Sequence, residues 1–427
     1  MAERLAVLLY GQVVGRLEQA AEGDLPTFSY DDAYVSDGAV PLSLRLPISQ
    51  TPYSAQRVEP YLRGLLPENS ATLGRWADRL GVAPDDIFAI LAEMGWECPG
   101  AVQFCRPDDV DDLLSRNGEY KPVSDADIAE RLRELVAEPA SWSMPGEHWS
   151  LGGQQEKFAL TLLIGQWHEA HGSAATTHII KPGIKILHHQ ALVEHLTMAA
   201  ASELGVDVAA SRIVQFGDQW ALVVERFDRV IGRDGSVVRV HQEDFCQALG
   251  RLPELKYESR GGPRLTDLAG VVRRWSSDRE DDLMALADFA AINLVAGAPD
   301  GHSKNISLLL AHDGQRRIAP LYDLATGLSY DRESVERSIA LSIGGERTFS
   351  RVRRKQWEKA ARTLGLDPGL LIGRARGLAE QYPDAFERAV ANAQDIPGAY
   401  EVGARTLPAL RDHCKRLIQQ LASDARR

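Results

Sequence analysis

The segment NLVAGAPDGHSKNISLLL, residues 293–310, constrains the fold of this chain more than any other stretch of it. The residues that lead into it, 281–297, are apolar on every side of a helix, which is typical of a helix that is buried all round. We expect this helix to end at Gly297, because glycine readily adopts the conformation that closes a helix and Pro299 forbids its continuation. Asp300 is therefore predicted to lie on a loop that is anchored to the core.

A β-hairpin is predicted directly after this loop. The apolar runs ISLLLA and RRIAPLYD flank an Asp-Gly pair, which is a strong short-range hairpin signal. If the hairpin is centred on Gly314, Asn305 and Asp323 face each other with Cβ atoms about 5 Å apart. An amide oxygen and a carboxylate at one point are ligands that Mg²⁺ prefers. The prediction depends on the register, because a slip of one residue would turn the two side chains to opposite faces.

Composition bounds the class of protein. With 427 residues the chain is long enough for two or three domains, because single cores stop growing near about 300 residues. The apolar fraction of 44% and the charged fraction of 25% are those of an ordinary globular protein. The net charge of -12 argues against autonomous nucleic-acid binding, which relies on an excess of Lys and Arg.

The cysteines and the apolar runs indicate the compartment. Cys98, Cys105, Cys246 and Cys414 form no CxxC pair and no metal-ligand spacing, which suits buried thiols in a reducing compartment. The apolar run at the amino terminus is too short for a signal peptide and predicts a strand, a turn at Gly11 and a second strand. No window approaches the roughly 18 apolar residues of a membrane span. We therefore expect a cytoplasmic protein without membrane contact.

The pattern along the chain predicts an α+β, bilobal fold. Residues 1–105 read as a small α+β subdomain, and 106–149 as an acidic linker with a short helix from about Ser124, capped with Asp127. Residues 150–427 begin rich in strands and become helical, as expected for two lobes around a cleft. The carboxyl-terminal lobe is predicted to be helical.

The spacing of Asp300 and Asn305 matches a kinase catalytic loop. In D-x-x-x-x-N the Asp accepts the proton of the substrate hydroxyl and the Asn holds a metal. The spacing alone is a weak signal, and the buried helix before it and the hairpin after it strengthen it. His302, between the two, is more often a structural histidine than a participant in chemistry.

The other parts of a phosphoryl-transfer site lie upstream in the order that a protein kinase uses. The loop SLGGQQEK (150–157) could cover phosphates, and Lys181 ends the strand-like run THIIK, with Glu194 on the following helix as its expected partner. The run VVERF ends where a hinge should pass the adenine, with backbone contacts from Glu225 and Phe227. The loop has neither Walker A nor G-x-G-x-x-G spacing, so the prediction of a kinase site rests on the order of the motifs.

The chain resembles the HipA family of bacterial serine/threonine-kinase toxins. The resemblance runs the length of the sequence, in the order LRGLLPEN, SLGGQQEKFAL, THIIKP, VERFDR, QEDFCQALG, KYESRGGP, DGHSKN and PLYDL. The resemblance implies a HipA-like, protein-kinase-like fold and kinase activity with ATP and Mg²⁺ as cofactors. The sequence departs from the family in GGQQEK, where a smaller residue often follows the second glycine, and in Pro299, and neither departure changes a chemical group.

The resemblance also assigns roles to residues. It implies that Asp300 is the catalytic base and that Asn305 and Asp323 bind Mg²⁺. It implies that Ser150 is autophosphorylated, which ejects the loop and stops the enzyme. The ATP site implied by the resemblance comprises Gly152, Gly153, Gln154, Gln155, Glu156, Lys157, Lys181, Glu225, Arg226, Phe227, His302, Ser303, Lys304, Asn305, Tyr322 and Asp323.

The partners implied by the resemblance are macromolecules. Such toxins phosphorylate an aminoacyl-tRNA synthetase, best known for the glutamyl enzyme, and so stop translation and growth. They are neutralised by a small, HipB-like helix-turn-helix antitoxin, and operator DNA is bound only through or beside that antitoxin.

Two alternatives stay open at the level of the sequence. A kinase of a small hydroxylated molecule would use the same base and metal ligands, and a catalytically silent co-repressor would only hold an antitoxin on DNA. The basic run 351–362 is typical of a solvated helix face, although it could reach DNA phosphates in an operator complex. The segment KYESRGGP, residues 256–263, has turn chemistry and no role that the sequence explains.

Overall fold

The computed structural model describes residues 3–115, 118–137, 150–233, 235–331 and 333–422. The described strands are β1 (Glu3–Leu9), β2 (Gln12–Gln19), β3 (Thr27–Tyr30), β4 (Val102–Cys105), β5 (Glu119–Pro122), β6 (Phe158–Leu163), β7 (Gln166–His171), β8 (His178–Lys181), β9 (Ser211–Phe216), β10 (Gln219–Glu225), β11 (Arg229–Ile231), β12 (Val237–Arg239), β13 (His241–Asp244), β14 (Ser307–Leu310), β15 (Arg316–Ile318), β16 (Ser338–Ile343) and β17 (Glu346–Thr348).

The described α-helices are α1 (Asp32–Asp37), α2 (Ala55–Leu65), α3 (Ser70–Leu80), α4 (Ile87–Met94), α5 (Val110–Leu114), α6 (Asp125–Ala137), α7 (Gln190–Glu203), α8 (Phe245–Leu249), α9 (Leu265–Trp275), α10 (Arg279–Ala296), α11 (Arg354–Leu364), α12 (Pro368–Asn392) and α13 (Ala399–Ala422). The chain divides into two compact units. Unit 1 comprises residues 1–182, 214–253 and 308–316, and unit 2 comprises residues 183–213, 254–307 and 317–427.

Unit 1 begins with an antiparallel sheet in the order β3-β2-β1-β4. β1 and β2 are joined at Tyr10 and Gly11, which both have positive φ angles, 55° and 74°. Positive φ at both central residues is the geometry of a tight hairpin turn that matches the twist of its strands. The predicted strand, turn and strand around Gly11 are confirmed.

A second sheet in unit 1 has the order β5-β7-β6-β8-β10-β9. The strands predicted from KFALTLLI, THIIK and WALVVERF are confirmed as β6, β8 and β10. The segment predicted as a linker with a short helix, 106–149, also contains β5, which pairs with β7 as an edge strand. The predicted cap at the start of α6 is confirmed, since Ser124 and Asp127 exchange backbone and side-chain hydrogen bonds. Residues 116–117 and 138–149 of the predicted linker lie outside the described residues.

One apolar core joins the two sheets of unit 1. Leu5 and Phe104 of the first sheet belong to the same buried cluster as Phe158, Ile180 and Phe216 of the second. The amino-terminal residues therefore share their larger core with the second sheet, and a smaller cluster of Ala6, Leu8, Cys105 and Leu113 lies apart from it. The domain boundaries at 105 and 150 remain a prediction.

A buried ionic network ties these parts of unit 1 together around Glu97. Its carboxylate accepts hydrogen bonds from Arg226 at 3.1 Å, from Arg229 at 2.9 Å and from Arg239 at 2.6 Å. Asp228 pairs with Arg226 at 2.9 Å and accepts a bond from the backbone of Gly100 at 2.6 Å. Burial by itself would raise the pKa of Glu97, but the three guanidinium groups hold that pKa well below its usual range.

Unit 2 is built around α10, which is buried on every side along its carboxyl-terminal half. Leu286, Phe289 and Ile292 have at most 3% of their surface exposed. The helix ends where the sequence predicted, at Gly297, whose φ of 65° lies in the left-handed region. His413 of α13 donates from Nε2 to the carbonyl of Leu294 at 2.7 Å, which fixes the end of α10 against its neighbour.

The predicted hairpin is present, with a different register. The backbone of Ala311 donates to Gln315 and that of Ala319 to Ser307, so the hairpin is centred on Asp313 and not on Gly314. β14 begins at Ser307 and β15 ends at Ile318, before Pro320, which has no N–H to extend the pairing. The prediction that Asn305 and Asp323 face each other across the strands is therefore wrong.

The predicted burial of all four cysteines is confirmed. No helix in the described parts of the chain combines the length and the apolar composition that a membrane span requires.

The buried histidine of β13 should make unit 1 sensitive to acid. His241 donates from Nε2 to the carbonyl of Leu42 at 3.0 Å, and burial lowers the pKa of its imidazole from 6.5 to about 4. Because the folded-state pKa of His241 lies below the unfolded value, its contribution to stability is complete above the unfolded pKa. That contribution is lost as the pH falls from the unfolded pKa toward the folded-state pKa. We expect a loss of about 2 kcal/mol between about pH 7 and about pH 5, measured by urea unfolding.

The control is His241→Gln, which keeps an amide donor toward Leu42 and does not titrate. Its stability should depend less on pH over the same range. Equal pH dependence in both proteins would contradict this account.

Candidate active site

The loop that follows α10, residues 300–305, is closed by its own hydrogen bonds; we call it the polar loop. The carbonyl of Asp300 accepts bonds from the backbone of His302 at 2.7 Å and from Nδ2 of Asn305 at 2.9 Å. Gly301 lies so close to α10 that a Cβ atom there would be 2.3 Å from the side-chain oxygen of Asn293. The polar loop therefore needs glycine after Asp300 and is held directly on the buried helix, as the sequence predicted.

The orientation of Asn305 suits a metal ligand. Because Nδ2 donates to the Asp300 carbonyl, the Oδ1 atom of the same amide points away from that carbonyl. Asp323 is half-buried, and its φ of 53° places it in the left-handed region, where Asp is tolerated better than most residues. A backbone in this conformation costs about 1–3 kcal/mol and is common at functional sites.

His302 is held neutral within the polar loop. Burial, together with the positive charges of Lys256 and Lys304, lowers the pKa of its imidazole to about 3. The carboxylate of Asp323 acts in the opposite direction on the same ring, so Asp323 lies near the polar loop. The Nδ1 atom of His302 is buried without a hydrogen-bond partner among the described residues.

Tyr322 links the polar loop to the hairpin. Its hydroxyl donates to the carbonyl of Lys304 at 2.7 Å and receives a bond from the hydroxyl of Ser307 at 2.7 Å. Ser303 is fully buried, and its hydroxyl donates to the carbonyl of Lys256 at 2.8 Å. Every residue from His302 to Asn305 has less than 9% of its surface exposed, so the loop is a fixed platform beside Asp300.

The segment 256–263 contacts Asp300, the predicted base, and the sequence did not predict this contact. The hydroxyl of Tyr257 donates to Oδ1 of Asp300 at 2.5 Å. The signal was present as the motif KYESRGGP, but its Tyr257 lies 43 positions from Asp300 and no local pattern connects the two.

The glycine loop, residues 150–157, lies on residues 64–68 of unit 1. The buried hydroxyl of Ser150 donates to the carbonyl of Leu65 at 2.6 Å, and the carbonyl of Gly153 accepts from the backbone of Glu68 at 2.9 Å. A Cβ atom at Gly152 would be 2.8 Å from the carbonyl of Gly64, so a larger residue would displace the loop. The glycine loop thus packs against the segment LRGLLPEN.

A lysine closes the glycine loop from within. The ammonium group of Lys157 donates to the carbonyl of Gly152 at 2.7 Å, and Lys157 is only 6% exposed. Gly153 has a φ of 101°, a conformation that other residues rarely adopt. Gln154, Gln155 and Glu156 complete the loop between these two residues.

Lys181 ends β8 with 4% of its surface exposed, and its strand neighbour in β10 is Leu222. Glu225, at the end of β10, pairs in register with His178. Lys181 belongs to unit 1 and Glu194 to unit 2, where the carboxylate accepts from Nε2 of Gln190 at 3.0 Å. The pairing of Lys181 with Glu194 stays a prediction.

Arg226 has a different role from the one expected. Its guanidinium, 2% exposed, bonds to Glu97, Asp228, Thr176 and the carbonyl of Cys98. The side chain is therefore part of the ionic network and cannot be an ATP ligand in this conformation. The backbone of residues 225–227 remains the candidate for contact with an adenine.

The predicted site residues form two groups, each within one unit. Unit 2 holds Asp300, His302, Ser303, Lys304, Asn305, Tyr322 and Asp323. Unit 1 holds Ser150, the glycine loop, Lys181 and residues 225–227. An amide oxygen and a carboxylate beside the polar loop fit the oxygen ligands of Mg²⁺. Buried lysines and a loop that only glycine can form fit a nucleotide phosphate group.

Two family models match the chain. The model described as the HipA-like C-terminal domain matches residues 149–392, and the model described as the HipA N-terminal domain matches residues 5–105.

Individual relatives are similar over nearly the whole length. The protein Y4mE of Sinorhizobium fredii is 35% identical over 390 residues, which cover 90% of this chain and 91% of that protein. The serine/threonine-protein kinase toxin HipA of Shewanella oneidensis is 31% identical over 399 residues, which cover 88% and 87%. A solved complex of HipA, HipB and operator DNA from Shewanella oneidensis contains a chain with a TM-score of 0.83, 27% identity and 97% coverage of both chains. This likeness confirms the predicted α+β, protein-kinase-like fold.

Replacing the network arginine should affect stability and not nucleotide binding. Arg226→Met leaves Glu97 and Asp228 buried with one cation fewer, which should cost about 3–5 kcal/mol in the free energy of unfolding. Because the guanidinium does not face a nucleotide, the affinity of the folded protein for ATP should stay unchanged. Urea unfolding and calorimetric titration with ATP measure the two effects.

The matched control is Arg133→Met in the same unit. Arg133 pairs with Asp218 at 2.6 Å, and both side chains are at least 50% exposed. This change should cost at most about 1 kcal/mol. Lost ATP affinity with unchanged stability in Arg226→Met would return Arg226 to the nucleotide site.

Proposed function

Because this chain belongs to the HipA family of serine/threonine-kinase toxins, we propose that it transfers the γ-phosphoryl group of ATP to a hydroxyl group of a protein. The observation that carries the proposal is the polar loop, which presents an exposed carboxylate, Asp300, on a buried and hydrogen-bonded platform that ends in Asn305. A base in this position needs access to a protein substrate, while the metal ligands beside it need to be rigid.

The proposed reaction divides the work among the residues of unit 2. Asp300 accepts the proton of a serine or threonine hydroxyl as that oxygen bonds to the γ-phosphorus. The bond between the γ-phosphorus and the bridging oxygen breaks, and ADP leaves with the electron pair. Asn305 and Asp323 would hold Mg²⁺, which supplies positive charge to the phosphates when bound.

The residues of unit 1 are proposed to bind the nucleotide. The backbone N–H groups of the glycine loop would face the phosphates, and the ammonium groups of Lys157 and Lys181 would offset their charge. The backbone of Glu225 and Phe227 would contact the adenine. His302 to Lys304 and Tyr322 would complete the ATP site, in which the neutral imidazole adds no charge.

The partners are proposed from the family and from charge. The relative solved with HipB and operator DNA supports a small helix-turn-helix antitoxin as the partner of this chain, which would make this kinase the toxin of a pair. With a net charge of -12, contact with DNA would come through that antitoxin. α11 buries Trp357 and Leu364 and turns its basic residues outward, as the solvated-face interpretation expects.

The acceptor is proposed to be an aminoacyl-tRNA synthetase, either the glutamyl enzyme or a relative of it. This part of the proposal rests on the resemblance of the sequence to the family. The exposed position of Asp300 favours a protein over a small hydroxylated molecule, which would require an enclosed acceptor pocket.

Asp300→Gln should abolish transfer and toxicity while sparing ATP binding, because the neutral amide cannot accept the proton and the ATP ligands proposed in unit 1 are unchanged. The measurement is incorporation of labelled phosphate with ATP and Mg²⁺, together with growth of cells that express each variant. The matched control is Asp412→Gln, an exposed carboxylate of α13 that pairs only with its own helix.

Normal ATP binding by the wild-type protein without any transfer would instead support a silent co-repressor. Toxicity that survives Asp300→Gln would contradict the kinase explanation.

The seat of Ser150 supports its proposed role as the inhibitory phosphosite. Ser150 has no exposed surface, and its hydroxyl and backbone N–H are bonded to the carbonyls of Leu65 and Glu97. A phosphate with nearly two negative charges cannot fit in this buried position, so phosphorylation would require the glycine loop to move away from residues 64–68. The loop would then no longer cover the nucleotide.

Ser150→Ala should therefore keep its activity over time. Wild-type protein incubated with ATP and Mg²⁺ should lose activity as mass spectrometry detects phosphate on Ser150, while the alanine variant continues to phosphorylate its substrate. Asp300→Gln serves as the control and should carry no phosphate at Ser150. Equal loss of activity in wild type and Ser150→Ala would count against this regulation.

A further inference from the structure

We propose that Tyr257 is a positioning residue that sets the orientation of the Asp300 carboxylate, an inference that rests on the proposed kinase function. Tyr257 lies half-buried in the segment 256–263, for which the proposed function has no other use. Its hydroxyl donates to Oδ1 of Asp300 at 2.5 Å. Donation from O–H to a carboxylate at this distance is a charge-assisted hydrogen bond, which is stronger than a neutral one.

The hydrogen bond would distinguish the two oxygens of the Asp300 carboxylate. Oδ1 accepts from Tyr257, so one of its lone pairs is already occupied. The proton of the acceptor hydroxyl would then go to Oδ2, and the carboxyl plane would be fixed for that transfer.

The polar loop and Tyr257 are held together by direct contacts. The carbonyl of Lys256 accepts from the hydroxyl of Ser303 at 2.8 Å, which ties the residue before Tyr257 to the polar loop. The imidazole of His302 meets the Tyr257 ring edge to face, with centroids 4.9 Å apart. The cation of Arg260 lies 5.4 Å from the centre of the same ring.

The residues that follow Tyr257 in KYESRGGP hold it in this position beside Asp300. Glu258 accepts from the backbone of Ser342 at 2.6 Å and from its hydroxyl at 2.8 Å, so the segment is fastened to β16. Gly261 has a φ of 84°, and its neighbour Gly262 donates to the carbonyl of Tyr257 at 3.0 Å. A Cβ atom at Gly262 would be 1.9 Å from the carbonyl of Leu255, so only glycine fits there. The motif forms a tight turn that presents one phenol to one carboxylate.

The test is Tyr257→Phe, which removes one hydroxyl from a half-exposed ring. We expect kcat to fall about 10- to 100-fold, the loss of a hydrogen bond to a charged group, while KM for ATP changes less than about twofold. A residue that only supports the fold would lower the unfolding temperature and leave the kcat of the folded protein unchanged.

The matched control is Tyr382→Phe in the same unit. The hydroxyl of Tyr382 is fully buried and donates to the carbonyl of Thr197 at 3.0 Å, and it has no part in the proposed site. This variant should lose stability and keep the wild-type kcat. It separates the loss of a tyrosine hydroxyl from the loss of this one.

The outcomes distinguish the two proposals. An active wild type and a Tyr257→Phe variant with the same kcat would overturn the positioning role alone. A lower kcat together with weaker ATP binding and a lowered unfolding temperature would also overturn it, in favour of a structural role. A wild type that binds ATP and transfers no phosphate to any protein would overturn the proposed function and this inference together.

Discussion

The burial of the carboxyl-terminal half of α10 on every side is the constraint on which the candidate site depends. This half cannot slide or rotate in its surroundings without exposing apolar surface, so its end at Gly297 is a fixed point. The polar loop starts three residues later and is pressed against Asn293 through Gly301. The core therefore holds Asp300 in place, and the polar loop lacks the flexibility of an ordinary surface loop.

Unit 1 depends on a constraint of a different kind. Glu97 and Asp228 pair with three arginines from distant parts of the sequence, so two negative charges face three positive ones. Buried ion pairs add little net stability over apolar residues, but an incomplete set is costly. The network therefore favours one arrangement of the amino-terminal residues on the second sheet over others.

Local signals in the sequence were sufficient for some features and not for others. The end of α10 and the cap of α6 depend on residues within a few positions of each other, and both were predicted. The hairpin register was missed because the turn takes in His312, and because Pro320 ends the pairing before Asp323 is reached. Arg226 and Tyr257 were misjudged or left unexplained, because Glu97 lies 129 positions from the first and Asp300 lies 43 from the second. The identity of the candidate base and metal ligands was accessible from spacing and resemblance, whereas the contacts that orient them were not.

The left-handed backbone at Asp323 has a consequence for the genetics of this protein. Of the residues that one base change can put in place of aspartate, Asn and Gly suit that backbone best, whereas Val is β-branched and would strain it. Asn and Gly both remove the carboxylate. Some alleles at this codon would therefore encode a destabilised protein, whereas others would encode a folded protein that lacks a proposed metal ligand. A gene for this chain can lose the charge in a single base change and still encode a product that folds.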